Sequence, residues 1–301
     1  MKYKQNIIFE NESTKTELVD KYKDDIIEKI RYLIEANFDF NITLIVKIVD
    51  IQLSQNYVNK ETTCGYSSWQ KNGNFIVCFG IESLERVERD NGLDIAISIY
   101  HELGHVYDMY HVMHNKYYKI NPLYKRQRNL NNYIIQQGWN FWTEFYAYFC
   151  TFKEFGGLHN YPTFYQIVRG YEQLTKQYKI LEQKLDDKTK EKEDLAKKQV
   201  ESTEQFIYAL AKHLAGCVMG KPRYYKMKVN NKNEKLVKLI EKISLKTYKL
   251  ISKMFSNTYG KGMARKLWDL GDYLIRTFYV NFDIIPEKRN GYISLVFYKQ
   301  D

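Results

Sequence analysis

At 301 residues and 44% hydrophobic content, the chain can bury a proper core as one large domain or two modest ones. Its net charge is +10, no stretch reaches the ~20 apolar residues that cross a bilayer, and the N-terminus lacks the apolar segment of a secretion signal. Cys64, Cys78, Cys150 and Cys217 are dispersed with no Cys-x-x-Cys pair, which excludes a disulfide framework and predicts reduced thiols in a cytoplasmic protein.

Residues 3–10 are expected to form a short strand, and 14–36 a helix with Leu18, Tyr22, Ile26, Ile30 and Leu33 on one side. Alternation of Ile42, Leu44, Val46 and Ile48 predicts a strand over 41–52. A polar loop with Cys64-Gly65 follows, then an Asn72-Gly73 turn and a second strand, Phe75 to Phe79. Ile95, Ile99, Leu103, Val106 and Tyr110 recur at three and four, a buried stripe for a helix over 95–114. Asp94, just after Gly92, is its expected N-cap.

The centre of that helix reads His101-Glu102-Leu103-Gly104-His105. Histidines four apart present their rings on one helical face, where both can reach one Zn²⁺ at about 2 Å. Only six histidines occur in the whole chain, so the pair is unlikely to be accidental. Glu102, one position round, is placed to take a proton from an activated water without being a ligand. Gly104 costs a helix about 1 kcal/mol against alanine, which close backbone packing would explain. Two imidazoles leave the site incomplete, so a third ligand is required.

Ile99-Tyr100-His-Glu-Leu-Gly-His-Val resembles the active-site helix of zincin metallopeptidases. It is most similar to the gluzincin and ImmA/IrrE-like intracellular kinds, over residues 40–155. The resemblance implies an α+β fold with a small twisted sheet packed on the motif helix, and a glutamate on a later helix as third ligand. It also implies that the strand before the motif helix lies at the sheet edge. An extended substrate would pair there, near Phe75 and Val77, although an ordinary core strand is an equal reading.

Residues 115–132, with Pro122, are expected to form a loop or lid at the cleft. An aromatic helix follows over 138–150, in which Glu144 is the only acid. A carboxylate among aromatics costs several kcal/mol unless paired or metal-bound, and Glu-Phe-x-Ala resembles the third-ligand helix of gluzincin-like families. Glu144 is therefore the expected third ligand. The rival is His111, six residues past His105 as in metzincins. That family has a glycine where Asp108 stands, and here the helix reads as continuous. Met219 offers a weak likeness to a metzincin Met-turn, and Glu154 is a lesser alternative ligand. Tyr148, Tyr110, His114, His159 and His213 are candidate oxyanion donors, with Tyr148 one turn past Glu144. Asp108 is read as an exposed acid or as a partner orienting a ligand histidine.

Beyond Gly156-Gly157, Tyr171, Leu174, Tyr178, Leu181 and Leu185 form a heptad-like seam leading into the charged run 186–198, read as the tip of a helical hairpin. Its returning helix spans 206–218. A basic amphipathic helix over 236–255, another over 264–279 and a closing strand over 292–298 complete the chain. From Lys221 to Lys253, eleven Lys or Arg stand against Glu234 and Glu241. Such a block could meet nucleic acid, an acidic membrane face or an acidic protein, but a solvated helix face is the favoured reading. The expected organisation is a zincin-like core over 1–160 and a mainly helical region over 161–301. The expected function is hydrolysis of peptide bonds in a protein substrate, with one Zn²⁺ held by His101, His105 and Glu144. The alternative is a catalytically silent protein that binds through its basic helices.

Overall fold

The computed structural model describes residues 6–38, 42–50, 65–70, 72–114, 127–156, 162–183, 190–219, 234–255 and 258–297. The chain is mixed α+β, with a small mixed sheet and a largely helical remainder. It divides into two compact units, the first holding residues 1–114 and 146–155, the second 124–145 and 156–301, with short pieces of 115–123 shared out between them. The expected cut near 160 lies close to the last crossing of the chain, but residues 124–145 cluster with the second unit.

In the first unit, β1 (Asn6–Glu12), β2 (Thr43–Val49), β3 (Gly65–Trp69) and β4 (Phe75–Gly80) form one sheet in the order β1-β2-β4-β3. β2 pairs in parallel with β1 and with β4, while β3 runs antiparallel to β4. β2 buries Leu44, Val46 and Ile48 on one face and Ile45 and Val49 on the other, as a central strand covered on both sides must. The helix α1 (Thr16–Asn37) buries Val19, Ile26, Ile30, Leu33 and Ile34.

Two expectations are corrected here. Gly65–Trp69 is a strand, not loop: its Gly-Tyr-Ser-Ser-Trp sequence has no apolar alternation, and it is held by its ladder to β4 across the Asn72-Gly73 turn. That turn is closed by Gln70 N–H donating to Asn74 O at 2.8 Å and Gly73 N–H to Gln70 O at 3.0 Å, with Gly73 at φ +90°. Consequently β4 is not at the edge. It is paired on both sides, and Phe75 and Val77 are each 1% exposed core residues, so no peptide can add to their strand. Among the described residues, the flank nearer the motif helix belongs to β3.

Two short helices, α2 (Glu82–Glu85) and α3 (Val87–Asp90), lead to α4 (Leu93–Met113), the motif helix. Its N-cap is Gly92, not Asp94. Asn91 and Gly92 are both left-handed, at φ 53° and 72°, so the helix begins two residues earlier than the capping rule suggests. Asp94 sits in the first turn instead, where it suits the helix dipole and pairs with Arg86 at 3.1 Å. The aromatic helix α5 (Leu130–Phe155) is longer than expected, and the division between the units falls within it. The proposed lid over 115–132 lies mostly outside the described residues.

In the second unit, α6 (Phe164–Gln183) and α7 (Lys190–Met219) pack antiparallel: Tyr171 meets Phe206 at 5.7 Å between ring centroids, and Gln199 donates to Leu174 O at 3.4 Å. Part of the charged run is thus helix. The basic helix is α8 (Glu234–Phe255), and α9 (Met263–Leu274) runs on through a π turn, Ile275–Tyr279. The closing strand is the second half of a hairpin, β5 (Ile284–Arg289) with β6 (Tyr292–Phe297). Pro286 is accommodated in β5 because each strand of a two-stranded sheet has a free edge. Cys78, Cys150 and Cys217 are free thiols, and among the described residues no helix is long and apolar enough to cross a membrane.

α5 and α9 cross backbone to backbone within this unit. A β-carbon on Gly138 would land inside the Leu267 carbonyl, and one on Gly271 inside the carbonyl of Ile134. Neither neighbour is a side chain that could swing away. Gly138→Ala or Gly271→Ala is therefore expected to lower stability by about 3 kcal/mol, despite alanine's better helix propensity. Urea midpoints of the two variants check this; an unchanged midpoint would show that the crossing is looser than described.

Candidate metal centre

α4 runs unbroken from Leu93 to Met113, so the spacing of its side chains follows the helical period. His101 and His105 stand one turn apart, with their Nε2 atoms 3.1 Å from each other and their rings at 90°. Two nitrogens bound tetrahedrally to one zinc at about 2.05 Å would lie about 3.3 Å apart, so the pair is already near that geometry. Glu144, on α5, completes the group: one donor atom from each of His101, His105 and Glu144 lies within 4.8 Å of the others. All three residues are half-buried. This group could hold a metal ion. Two imidazoles and one carboxylate suit a borderline cation, and three protein donors leave a tetrahedral position open.

The helices meet closely beside the pair. A β-carbon on Gly104 would stand 3.0 Å from Ala147 Cα and 3.2 Å from its Cβ, so Gly104 is where α4 presses against α5. Ala147 lies three residues beyond Glu144 on the same helix. Tyr148, one turn past Glu144, packs its ring against His101 at 4.3 Å between centroids, tilted by 43°. Although the division between units falls between Phe145 and Tyr146, α5 continues through it, so Glu144 is tied by helical geometry to the stretch that touches α4.

Glu102 is only 6% exposed. The β3 backbone comes up to its carboxylate: a β-carbon on Gly65 would lie 2.8 Å from Glu102 Oε1 and 2.9 Å from its Cγ. The absence of a side chain at position 65 is what leaves room for Glu102. The residue types around Gly65 gave no hint of this, although the Asn-Gly turn signalled a hairpin whose first strand would pass this way.

His111 does not join the group. Six residues past His105, it is turned by about 240° around the continuing helix, and its ring meets Tyr107 and Tyr110. Glu154 is exposed and also outside it. Among the oxyanion candidates, Tyr110 packs on Phe75 and on His114, whose ring nitrogen lies 2.8 Å from Tyr110 O. His213 lies in the second unit, its Nδ1 2.7 Å from Pro162 O and its Nε2 3.4 Å from Cys217 Sγ; burial holds its pKa below the usual value. His159 lies outside the described residues. Tyr148 alone of these five is shown against a residue of the metal group. Asp108 is fully buried rather than exposed, near Tyr146 and Cys150 of α5. Met219 ends α7 partly exposed and forms no turn.

Metal binding has a direct expected outcome. Zn²⁺ at a hundredfold excess over its Kd should stabilise the metal-free chain by about 2.7 kcal/mol. His101→Ala and Glu144→Ala should abolish that gain, and His111→Ala should keep it. Equilibrium dialysis with elemental analysis, beside thermal melts, distinguishes the two sets. No family model, no curated protein and no solved structure matches this chain.

Proposed function

We propose that the chain is a zinc-dependent metallopeptidase of zincin type, acting in the cytoplasm on peptide bonds of a protein substrate. The observation that carries the reading is one arrangement: His101, His105 and Glu144 gather their donor atoms within 4.8 Å while Glu102 lies buried beside them against Gly65. A purely structural metal site has no use for such a base.

His101, His105 and Glu144 would hold the Zn²⁺ ion. When bound, the ion supplies a Lewis acid and lowers the pKa of a water towards ~7. Glu102 accepts the proton of the attacking water and returns it to the leaving amine, a task that needs a fixed carboxylate rather than a ligand. The Gly65 backbone fixes it. Tyr148, whose ring packs against His101, is the candidate to donate its hydroxyl to the developing oxyanion.

Glu102→Gln should keep its zinc and lose hydrolysis by about 10²- to 10⁴-fold, the usual worth of general acid–base catalysis. Gly65→Ala should also keep zinc, yet lose at least about tenfold by pushing the Glu102 carboxylate aside, more than a 1.4 kcal/mol effect. Proteome-wide cleavage by the zinc-loaded wild type beside both variants tests this. Undiminished cleavage by Glu102→Gln would falsify the mechanism.

A second reading rests on α8. Lys235, Lys238, Lys242, Lys246, Lys249 and Lys253 are all exposed, and at about 100° per residue they fall within roughly a quarter of the helix circumference. Such a stripe suits nucleic acid or an acidic partner; the rest of the Lys221–Lys253 block, up to residue 233, lies outside the described residues. Binding to duplex DNA that weakens steeply with salt would favour this reading, and no binding at low salt would dismiss it.

A further inference from the structure

Among the described helices, α8 holds the largest excess of positive charge, six lysines against Glu234 and Glu241. A lysine-rich composition alone does not produce this. α1, also 22 residues long, carries four bases against six acids, and α7 carries five against five. Ile240, Ile243, Thr247, Ile251 and Met254 are buried on the opposite face, so α8 is seated by its apolar side. The lysine stripe is left facing outward along about 27 Å, from Lys235 to Lys253. Lys266 of α9 donates its ammonium to Lys253 O, which adds a seventh cation at the C-terminal end. Lys238 pairs with Glu234 at 3.8 Å, and Lys246 sits over the Tyr273 ring at 4.5 Å. Exposed contacts of this kind are weak and exchange readily for a denser array of anions.

Two large apolar side chains bracket the stripe. Leu239 is 43% exposed and Leu245 45%, and each lies about 60° round the helix from the middle of the lysines, one on either side. A single exposed leucine means little, but a pair flanking a row of cations matches a surface that offers anions above apolar tails. The residue types separate this surface from a nucleic acid. All six cations of α8 are lysines. Base edges are read by the arginine fork or by carboxamides, and single strands stack on exposed aromatics. Tyr248, the exposed aromatic in the middle of α8, lies about 120° from the centre of the stripe. Lysine is a point charge on a flexible stem, which suits phosphates whose positions are not fixed.

We propose that α8 docks the chain on an anionic membrane surface, its lysines donating to lipid phosphates and carboxylates while Leu239 and Leu245 reach the boundary with the acyl chains. The proposal takes up the stripe of the second reading, names lipid as its occupant, and needs nothing from the metal group. The contact is peripheral, since among the described residues no helix is long and apolar enough to cross a bilayer. Four to eight basic residues on one amphipathic helix are enough to hold a protein at such a surface.

Sedimentation of the full chain with lipid vesicles tests it. Vesicles of phosphatidylcholine mixed with phosphatidylserine should carry wild type down at low salt, pure phosphatidylcholine should not, and high salt should release it. Lys242→Gln, Lys246→Gln and Lys249→Gln together should weaken partitioning about 100-fold. Leu239→Gln with Leu245→Gln should weaken it about tenfold and keep the salt dependence. Both variants replace exposed side chains and are checked to melt like wild type. His101→Ala should bind vesicles as wild type does, so failure of the peptidase reading leaves this result intact. No sedimentation with the mixed vesicles, or equal sedimentation of the lysine variant, overturns the proposal. Undiminished binding by the leucine variant overturns it too, because lysines alone would serve any polyanion. Duplex DNA under the same conditions is the competing occupant: DNA bound while vesicles are ignored assigns the stripe to nucleic acid instead.

Discussion

The close approach of Gly104 to Ala147 is the constraint on which the metal group depends. A β-carbon at position 104 would stand 3.0 Å from Ala147 Cα, so even alanine there would push α4 and α5 apart by a few tenths of an ångström beside the His pair. Because Gly104 lies between His101 and His105, and Ala147 between Glu144 and Tyr148, the contact falls within a turn of all four residues. Helical periodicity does the rest, since each of these residues is within a turn of the contact point. The cost of glycine in a helix, about 1 kcal/mol, is thereby exchanged for position.

The same logic recurs on the sheet side. Gly65 yields its side-chain space to Glu102, whose carboxylate is otherwise expensive to bury. A carboxylate held this way is shielded from bulk water. Glu144 differs: it is half-buried among fully buried Phe141, Trp142 and Phe145, and its helix supplies the rigidity.

How much of this was legible in the sequence depends on how local its cause is. The motif helix and the histidine pair were readable because residues four apart on a helix need no tertiary information to be neighbours. Glu144 stood out because a lone acid in an aromatic run invites an explanation. Strand β3 was not readable, since Gly-Tyr-Ser-Ser-Trp has no alternation and is held by pairing with β4. That omission misplaced the sheet edge and gave Phe75 and Val77 a role their burial forbids. Asp108 looked like an exposed helix acid because nothing nearby in the chain shows that α5 covers it.

The crossing of α5 and α9 at Gly138 and Gly271 has a further consequence for motion. Two backbones in direct contact have no compressible side chains between them, so they cannot loosen by degrees as a seam of leucines can. Either the two glycines are seated or the helices have parted, and everything resting on that seam parts with them. The region around Ile134–Gly138 and Leu267–Gly271 should thus behave as one cooperative foldon, whose opening exposes both segments together.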